Sequence, residues 1–427
     1  MAGLVIIAVL RLRDTHKGTV CRSISTVSTE SQLNAYISIA FFALLILSAI
    51  TFICLVVLNP HGGWDACGIW NLRARHIFRS GINWKEAFSN VLEWTHPDYP
   101  LLIPLSTVRI WLYSGRESVV SSAVITGVFT FATVGMLVCA LGVRKDKSQG
   151  YLAGLMLLGI PFFIKLGADQ YADVPVAFFF LATVILCTLY LADDRREPGF
   201  LFMGGITGSF AAWTKNEGLM FMVVVPVAFF ITRLFLEKRR NVARELTFFT
   251  LGALPVLLVL IYFKVMIAPE NDLLGVMNFD LIRSRITDLS RYATVSFFFL
   301  SQMWAFWQWN IIPILLLIYL IVMKSLITKR SFTAGLFPIF TVLLMGLGYF
   351  FVYITMSKDL LWHLDTSFSR LLIQLTPTIL FAYFLIVPTV NELFVSLYDT
   401  PFDDPGKNHK RQFPLPSEHS RGALASI

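Results

Sequence analysis

Long apolar runs separated by short polar connections make up most of the chain. Most runs are about 20 residues long, the length at which a helix crosses the hydrocarbon core of a bilayer, and the period-two alternation of a transmembrane barrel is missing. The pattern predicts an all-α polytopic membrane protein with about ten transmembrane helices. The runs lie at residues 35–58, 118–143, 151–167, 174–192, 199–213, 218–236, 247–268, 304–323, 332–356 and 371–395.

The connections between these runs alternate in charge from residue 118 onward. One set is basic, for example "RKDK" from residue 144 and "EKRRNVARE" from residue 237, and the other set carries few Lys or Arg residues. Basic loops are retained on the cytoplasmic side of a membrane. The alternation therefore predicts a cytoplasmic N-terminal tail at 1–33, a transmembrane domain at 34–396 and a cytoplasmic C-terminal tail at 397–427.

The stretch "THPDYPLLIPLSTVRIWLYSGRE", residues 95–117, decides the topology of the first part of the chain. Lys and Arg counts do not decide whether it crosses, because both arrangements place equal numbers inside. A helix over 101–115 reaches about 22 Å against a hydrocarbon core of about 30 Å, and Arg109 in mid-span would cost at least about 2.5 kcal/mol. We expect an interfacial or re-entrant helix here, within one extracytoplasmic loop from 59 to 117.

The same loop contains "GIWNLRARHIFRSG", residues 68–81, which has the pattern of an amphipathic helix. Wound as a helix, one side carries the apolar residues Trp70, Ala74, Ile77 and Phe78, and the other carries Arg73, Arg75, His76 and Arg79. Such a pattern is typical of a juxtamembrane helix that lies on lipid headgroups.

The composition agrees with a membrane protein, because 56% of the 427 residues are hydrophobic and 15% are charged, whereas soluble domains are about 25% charged. The net charge of +8 comes from short basic clusters between apolar runs, which indicates cytoplasmic loops and no nucleic-acid partner. Five widely spaced cysteines predict neither a metal site nor a disulfide framework. The opening "MAGLVIIAVLRLR" is too short to span, and its arginines follow the apolar run, unlike those of a secretory signal.

Several acidic residues lie directly beside predicted spans on the outer side. Asp65 follows the first span by seven residues and stands among tryptophans, so it is either a partly desolvated general base or the N-cap of the amphipathic helix. Asp169 and Asp173 lie four residues apart, just before Pro175. Capping of the next helix explains one of these two carboxylates, and the other indicates a role in a site.

Cations lie on the same side. Lys215 occupies a tight connection between two apolar runs, where a charge is costly unless it pairs, for example with Glu217, or has a function. Arg370 stands on the outer side, against the positive-inside preference. Either an anionic partner such as a phosphate or snorkelling to headgroups would explain it. A single histidine such as His363 is more often structural.

Together these residues supply carboxylates for proton abstraction and cations for a phosphate leaving group, as transfer from a lipid-phosphate donor requires. The predicted catalytic residues are Asp65 and Asp173. The predicted substrate-binding residues are His96, Asp98, Asp169, Lys215, Glu217, His363 and Arg370.

At these residues the sequence resembles the GT-C superfamily of membrane glycosyltransferases, particularly the branch with protein O-mannosyltransferases and the lipid A aminoarabinose transferase. The resemblance rests on an acidic residue soon after the first span ("WDACGIW"), on "HPDYPLL" in place of an HPPL motif, and on "YADVP" in place of an AD.P motif that heads a later span. Together with the span pattern it covers roughly residues 35–395.

The resemblance implies a polyprenyl-phosphate-linked sugar as donor and transfer outside the cytoplasm to a lipid, glycan or protein acceptor. Asp65 then resembles the acid that deprotonates the acceptor, and Asp173 resembles a second acid of the site. Lys215 and Arg370 are assigned to the donor phosphate on physical grounds alone. The chain has one acid at 65 where many members carry two, which leaves a divalent cation such as Mg²⁺ or Mn²⁺ open as a cofactor.

The membrane would be the plasma membrane in a bacterium or the endoplasmic reticulum in a eukaryote, and membrane lipids would surround the chain. A transporter or flippase of lipid-linked substrates is the main alternative, although it should show broken helices in paired halves and a site near the midplane. The sequence shows no internal repeat, and its charged residues gather at one boundary. A non-catalytic assembly subunit is the third hypothesis.

Overall fold

The computed structural model describes residues 24–193, 195–236, 241–270, 279–305 and 311–393. Over these residues the regular structure is helical throughout and contains no strand. Seven of the described helices are long and apolar enough to cross a membrane, or eight crossings result if one bent pair of helices counts as a span. The predicted all-α polytopic class is confirmed.

Fifteen α-helices are named here in chain order. They are α1 (Ile24–Leu58), α2 (Asn71–Ser80), α3 (Leu102–Ser114), α4 (Val119–Arg144), α5 (Lys147–Leu158), α6 (Pro161–Ala168), α7 (Asp173–Ala192), α8 (Pro198–Thr214), α9 (Glu217–Phe235), α10 (Val242–Met266), α11 (Phe279–Thr287), α12 (Leu289–Ala305), α13 (Ile311–Met323), α14 (Lys329–Thr355) and α15 (Leu360–Ile386). Short helical turns lie at Ala66–Trp70, Gly81–Phe88, Asn90–Thr95 and Lys324–Leu326.

The ten predicted runs do not all become full-length spans. Run 151–167 is divided into α5 and α6, which meet at 68°, and run 199–213 becomes the 17-residue α8. Run 304–323 includes residues 306–310, which lie outside the described residues. Apolar length alone does not show where a helix bends, because Gly159 and the following Pro161 interrupt hydrogen bonding without reducing hydrophobicity.

The predicted cytoplasmic tails at the two ends of the chain stay predictions. Helix α1 begins at Ile24, so it extends into the predicted N-terminal tail at 1–33. The polar residues "STVSTESQ" carry no breaker and continue the helix beyond its apolar part, which starts at Gln32. The C-terminal tail at 397–427 lies outside the described residues.

Helix α3 occupies the stretch whose crossing was in question. It has 13 residues, which corresponds to about 20 Å, and it ends at Gly115 in the left-handed conformation with φ 69°. It is too short to be among the candidate spans. The Arg109 side chain is exposed and its guanidinium lies 5.6 Å from the centre of the Tyr113 ring, so this charge is not buried in a bundle.

The prediction that α2 lies with its apolar side on lipid is wrong. Ala74 and Ile77 are buried in a protein core that includes Trp111 of α3, and Phe78 packs edge-on against the same indole. Arg73, predicted on the polar face, is only 2% exposed. An amphipathic pattern shows which side of a helix avoids water. It does not show whether protein or lipid covers that side.

Helix α7 is the centre of the bundle, since its residues from Asp173 to Tyr190 are all buried. Helices α8 and α10 approach so closely that a Cβ atom added to Gly205 would lie 1.9 Å from the carbonyl oxygen of Phe249. An added Cβ on Gly252 would meet the carbonyl of Phe202 at the same distance. Small residues therefore allow backbone contact between these helices, as in other membrane helix pairs.

Candidate functional site

The predicted site residues come from four elements that meet at one end of the bundle. Asp65 precedes the helical turn Ala66–Trp70 in the first loop, and Asp173 is the first residue of α7. Lys215 lies in the turn between α8 and α9, and Arg370 lies in the third turn of α15. We call Asp65, Asp173, Lys215, Glu217, Arg370 and Gln374 the ionic cluster.

Arg370 joins the two predicted catalytic carboxylates. Its Nη2 donates a hydrogen bond to Oδ2 of Asp65, and its Nε and Nη2 donate to Oδ2 of Asp173 at 3.2 and 3.1 Å. The guanidinium lies 4.8 Å from the centre of the Tyr171 ring, which makes a cation–π contact. The side chains of Arg370 and Asp65 are 18% and 9% exposed, whereas that of Asp173 is fully buried. Arg370 and Asp65 therefore form the accessible edge of the ionic cluster.

Asp173 is held from its other side as well. Its Oδ1 accepts hydrogen bonds from Lys215 Nζ at 2.9 Å and from Gln374 Nε2 at 2.7 Å. Lys215 also pairs with Glu217 at 2.8 Å, so the ion pair considered for these two residues exists but is part of a larger network. Two cations face three carboxylates in this cluster, so it carries one negative charge in excess if all five groups are ionised.

Lys215 keeps its proton in this environment. Burial alone would lower the pKa of its ammonium group, but the negative charges of Asp173 and Glu217 outweigh burial and raise that pKa above its usual value. The ammonium form, and the stability that its contacts contribute, is therefore present at neutral pH and is lost only as pH rises through the raised pKa.

Sequence reasoning missed Gln374, whose amide contacts both Asp173 and, at 3.3 Å, Glu217. Its side-chain oxygen accepts a hydrogen bond from the Tyr349 hydroxyl at 2.8 Å. A signal was present, because Gln374 follows Arg370 by four residues in an apolar helix and so shares its face.

Asp65 does not cap a helix, since its side chain makes no capping hydrogen bond. The loop before it is fixed by the turn between α6 and α7: Gly63 N–H donates to the Asp169 carbonyl at 2.9 Å, and Gln170 Nε2 donates to the Pro60 carbonyl at 3.0 Å. Gly62 has a φ of 77°, and a Cβ there would lie 2.6 Å from the Asp169 carbonyl oxygen. This turn therefore orients Asp65 toward Arg370.

Two predicted substrate-binding residues, Asp169 and His363, have contacts outside the ionic cluster. Asp169 pairs with Lys165 at 2.5 Å, and that lysine is 57% exposed. The His363 ring packs against Tyr353, with ring centres 5.6 Å apart. Their assignment to substrate binding stays a prediction, since these contacts join both side chains to residues outside the ionic cluster.

Asp98 belongs to a second polar network beside the ionic cluster. Its Oδ2 accepts a hydrogen bond from Asn216 Nδ2 at 2.8 Å and lies 3.4 Å from Lys264 Nζ, which also donates to the Asp98 carbonyl at 2.5 Å. The same Nζ donates to Asn216 Oδ1 at 2.8 Å. We call Asp98, Asn216 and Lys264 the outer triangle. Sequence reasoning missed Lys264, although a lysine near the end of an apolar run ("YFKVM") was its signal.

Tyr99 holds the predicted site residue His96 by ring stacking. Its ring stacks on Trp70 and on His96, with ring centres 5.6 and 5.0 Å away. Burial, followed by the negative charges of Glu217 and Asp98, raises the pKa of the Tyr99 hydroxyl well above its usual value. Tyr99 therefore remains a neutral hydrogen-bonding group at physiological pH.

The described residues do not fit a resident divalent cation. No group of three or more His, Cys, Asp or Glu side chains in them is arranged to hold a metal ion. Asp65 and Asp173 are both paired with Arg370.

No family model and no curated protein matches the chain. Among solved structures, the chain is similar to the crystal structure of ArnT from Cupriavidus metallidurans bound to undecaprenyl phosphate, at 15% sequence identity and a TM-score of 0.48. The match covers 80% of this chain and 59% of that chain, so this chain spans less than two thirds of that protein's length.

Proposed function

We propose that the chain is a membrane glycosyltransferase that moves a sugar from a polyprenyl-phosphate-linked donor to a lipid, glycan or protein acceptor outside the cytoplasm. The observation that carries the proposal is the contact of Arg370 with both Asp65 and Asp173 at the accessible edge of the ionic cluster. The donor class follows from the motifs around Asp65, His96 and Asp173 that resemble those of GT-C enzymes.

The chemistry assigns a role to each end of the Asp65–Arg370 pair. Asp65 accepts the proton of an acceptor hydroxyl while that oxygen attacks the anomeric carbon of the donor sugar. The new carbon–oxygen bond forms as the bond between the anomeric carbon and the phosphate oxygen breaks, and the lipid phosphate leaves. A single displacement of this kind inverts the anomeric configuration.

Arg370 is the cation best placed to stabilise the leaving phosphate, because its planar guanidinium suits phosphate oxygens and its side chain reaches the surface. Lys215 is only 5% exposed and is bound to Asp173 and Glu217. We therefore give Lys215 the role of holding Asp173, and Asp173 the role of orienting Arg370. This ordering revises the expectation that both cations bind the donor directly.

One feature of the fold, a bent pair of helices, favours the alternative that the chain is a transporter. Helices α5 and α6 form a bent pair at 68°, and broken helices are common in transporters. The described residues contain no second bent pair, whereas a transporter built from paired halves should have one.

Purified protein incubated with radiolabelled polyprenyl-phosphate sugars distinguishes these functions. Transfer releases lipid phosphate and moves the label to an acceptor, and this is the expected result. Movement of intact donor across reconstituted vesicles without bond cleavage would support a transporter instead. Absence of both activities across a panel of donors and acceptors would favour an assembly subunit and overturn the proposal.

A further inference from the structure

A short segment of the first loop, residues 95–99, is held through its main chain by two cations, the buried Arg73 and the half-buried Lys264. Arg73 of α2 donates to the carbonyl oxygens of Thr95 and His96 at 2.8 and 2.9 Å. Lys264 of α10 donates to the carbonyl oxygen of Asp98 at 2.5 Å. The conformation of this segment therefore depends on charged side chains that come from two different helices.

The outer triangle ties this segment to the turn between α8 and α9. Each of its three members is hydrogen-bonded to the other two, and Asp98 is 2% exposed. Asn216 lies in the sequence between Lys215 and Glu217, which are both members of the ionic cluster. Movement of Asn216 would therefore move both neighbours relative to Asp173.

The turn itself has little freedom to adjust. A Cβ atom on Gly218 would lie 2.1 Å from the carbonyl oxygen of Ala211, so the end of α8 and the start of α9 are in backbone contact. A displacement at Asn216 is therefore transmitted to Lys215 and Glu217 rather than absorbed in the turn.

We propose that Lys264 is a positioning residue for the site: it fixes residues 95–99 and the 214–218 turn relative to each other, so that Tyr99 and the Lys215–Glu217 pair keep their places around Arg370. This inference rests on the proposed transferase function. It also assigns Asp98 to the support of the site, where the sequence predicted contact with substrate. Lys264 acts through Asp98 and Asn216 and does not contact the reacting groups.

The test replaces Lys264 by Met, which keeps the length of the side chain and removes its charge and donors. We expect kcat for transfer to fall by about 10- to 100-fold, because small displacements of positioned groups cost rates of this order, while KM for the donor changes less than about threefold. Lys264→Arg should recover part of the lost kcat, since a guanidinium can still donate to the Asp98 carbonyl. Unchanged kcat in Lys264→Met would overturn the inference.

Lys165→Met is the matched control, because it removes a lysine from an exposed ion pair with Asp169 near the same end of the bundle. It should retain wild-type kcat. If Lys264→Met does not fold, Asn216→Ala tests the same triangle with a neutral truncation and should show the same loss of kcat at nearly unchanged KM.

A second measurement does not depend on transfer. Hydrogen–deuterium exchange of peptides that cover 95–99 and 214–218 should be at least about tenfold faster in Lys264→Met than in wild type, and unchanged in Lys165→Met. If these peptides exchange at the same rate in Lys264→Met and in wild type, the positioning role of Lys264 is overturned, whatever the transfer activity. Wild-type protein that transfers no sugar from any donor would instead overturn the proposed function, and the exchange rates would still test the positioning role of Lys264.

Discussion

Arg370 and Asp65 are 305 positions apart in the sequence, and their side chains are hydrogen-bonded at the edge of the ionic cluster. The contact brings the last long helix of the described chain onto the first loop. A carboxylate that would otherwise be a simple exposed acid is thereby oriented beside a guanidinium that can bind phosphate. The predictions below follow from this pairing and from the packing that supports it.

Asp65→Asn should reduce transfer by at least about 100-fold, because a positioned general base typically contributes about 10²- to 10⁴-fold to the rate. The amide keeps the size of the side chain and can still accept a hydrogen bond from Arg370, so insertion and thermal stability should change little. Turnover of radiolabelled donor is the measurement. Glu117→Gln removes an acid from a pair with Arg79 in the same predicted outer region and should leave turnover intact; an equal effect of both variants would remove the base assignment.

Arg370→Lys should lower transfer by at least about tenfold although it keeps the charge. The guanidinium uses Nε and Nη2 to contact Asp65 and Asp173 together, and a single ammonium cannot reproduce that fork. Initial rates at saturating donor measure the effect. Arg79→Lys, at an exposed pair, should have normal rates, and full activity of Arg370→Lys would show that the planar bridge is dispensable.

Asp173→Asn should destabilise the protein by about 3–5 kcal/mol, because it removes a fully buried carboxylate that pairs with two cations, the buried Lys215 and the half-buried Arg370. Thermal unfolding in detergent measures the change. Asp169→Asn, which breaks the exposed pair with Lys165, should cost less than about 1 kcal/mol. Equal melting temperatures for the two variants would contradict a structural role for Asp173.

Gly205→Ala should destabilise the bundle by about 1–3 kcal/mol or more, because its Cβ would lie 1.9 Å from the Phe249 carbonyl and helices α8 and α10 would have to separate. Gly346→Ala is the matched control in α14, where no atom lies within 4 Å of an added Cβ. That variant should be neutral or more stable by up to about 1 kcal/mol, since Ala favours helix. Melting curves that rank the two variants in the opposite order would contradict the close approach of α8 and α10.

Cys67 is exposed in the first loop, two residues after Asp65, and reports which side of the membrane holds the site. In a variant with Cys67 as its only cysteine, a membrane-impermeant thiol reagent should label intact cells. Permeabilised cells provide the full-labelling reference. Labelling that requires permeabilisation would place Asp65 and the ionic cluster in the cytoplasm and contradict the predicted topology.

The sequence by itself determined the helical class and most of the apolar segments, and it predicted the region of the candidate site. Hydrophobic periodicity and run length are local properties, so α4, α7 and α9 could be located from them. The cost of charge beside apolar runs identified Asp65, Asp173, Lys215 and Arg370 for the same reason. Gln374 could also have been found from the sequence, because it lies one helical turn after Arg370 on the same face of the helix.

Only the tertiary structure decided what covers each surface and which charges meet. The apolar side of α2 packs on protein rather than lipid, and Arg73 is buried because main-chain carbonyls of residues 95–99 accept its hydrogen bonds. The outer triangle joins Asp98 to Lys264 across 166 positions. Such contacts depend on how helices pack and on the directions of carbonyl groups, and neither leaves a periodic trace in the order of residues.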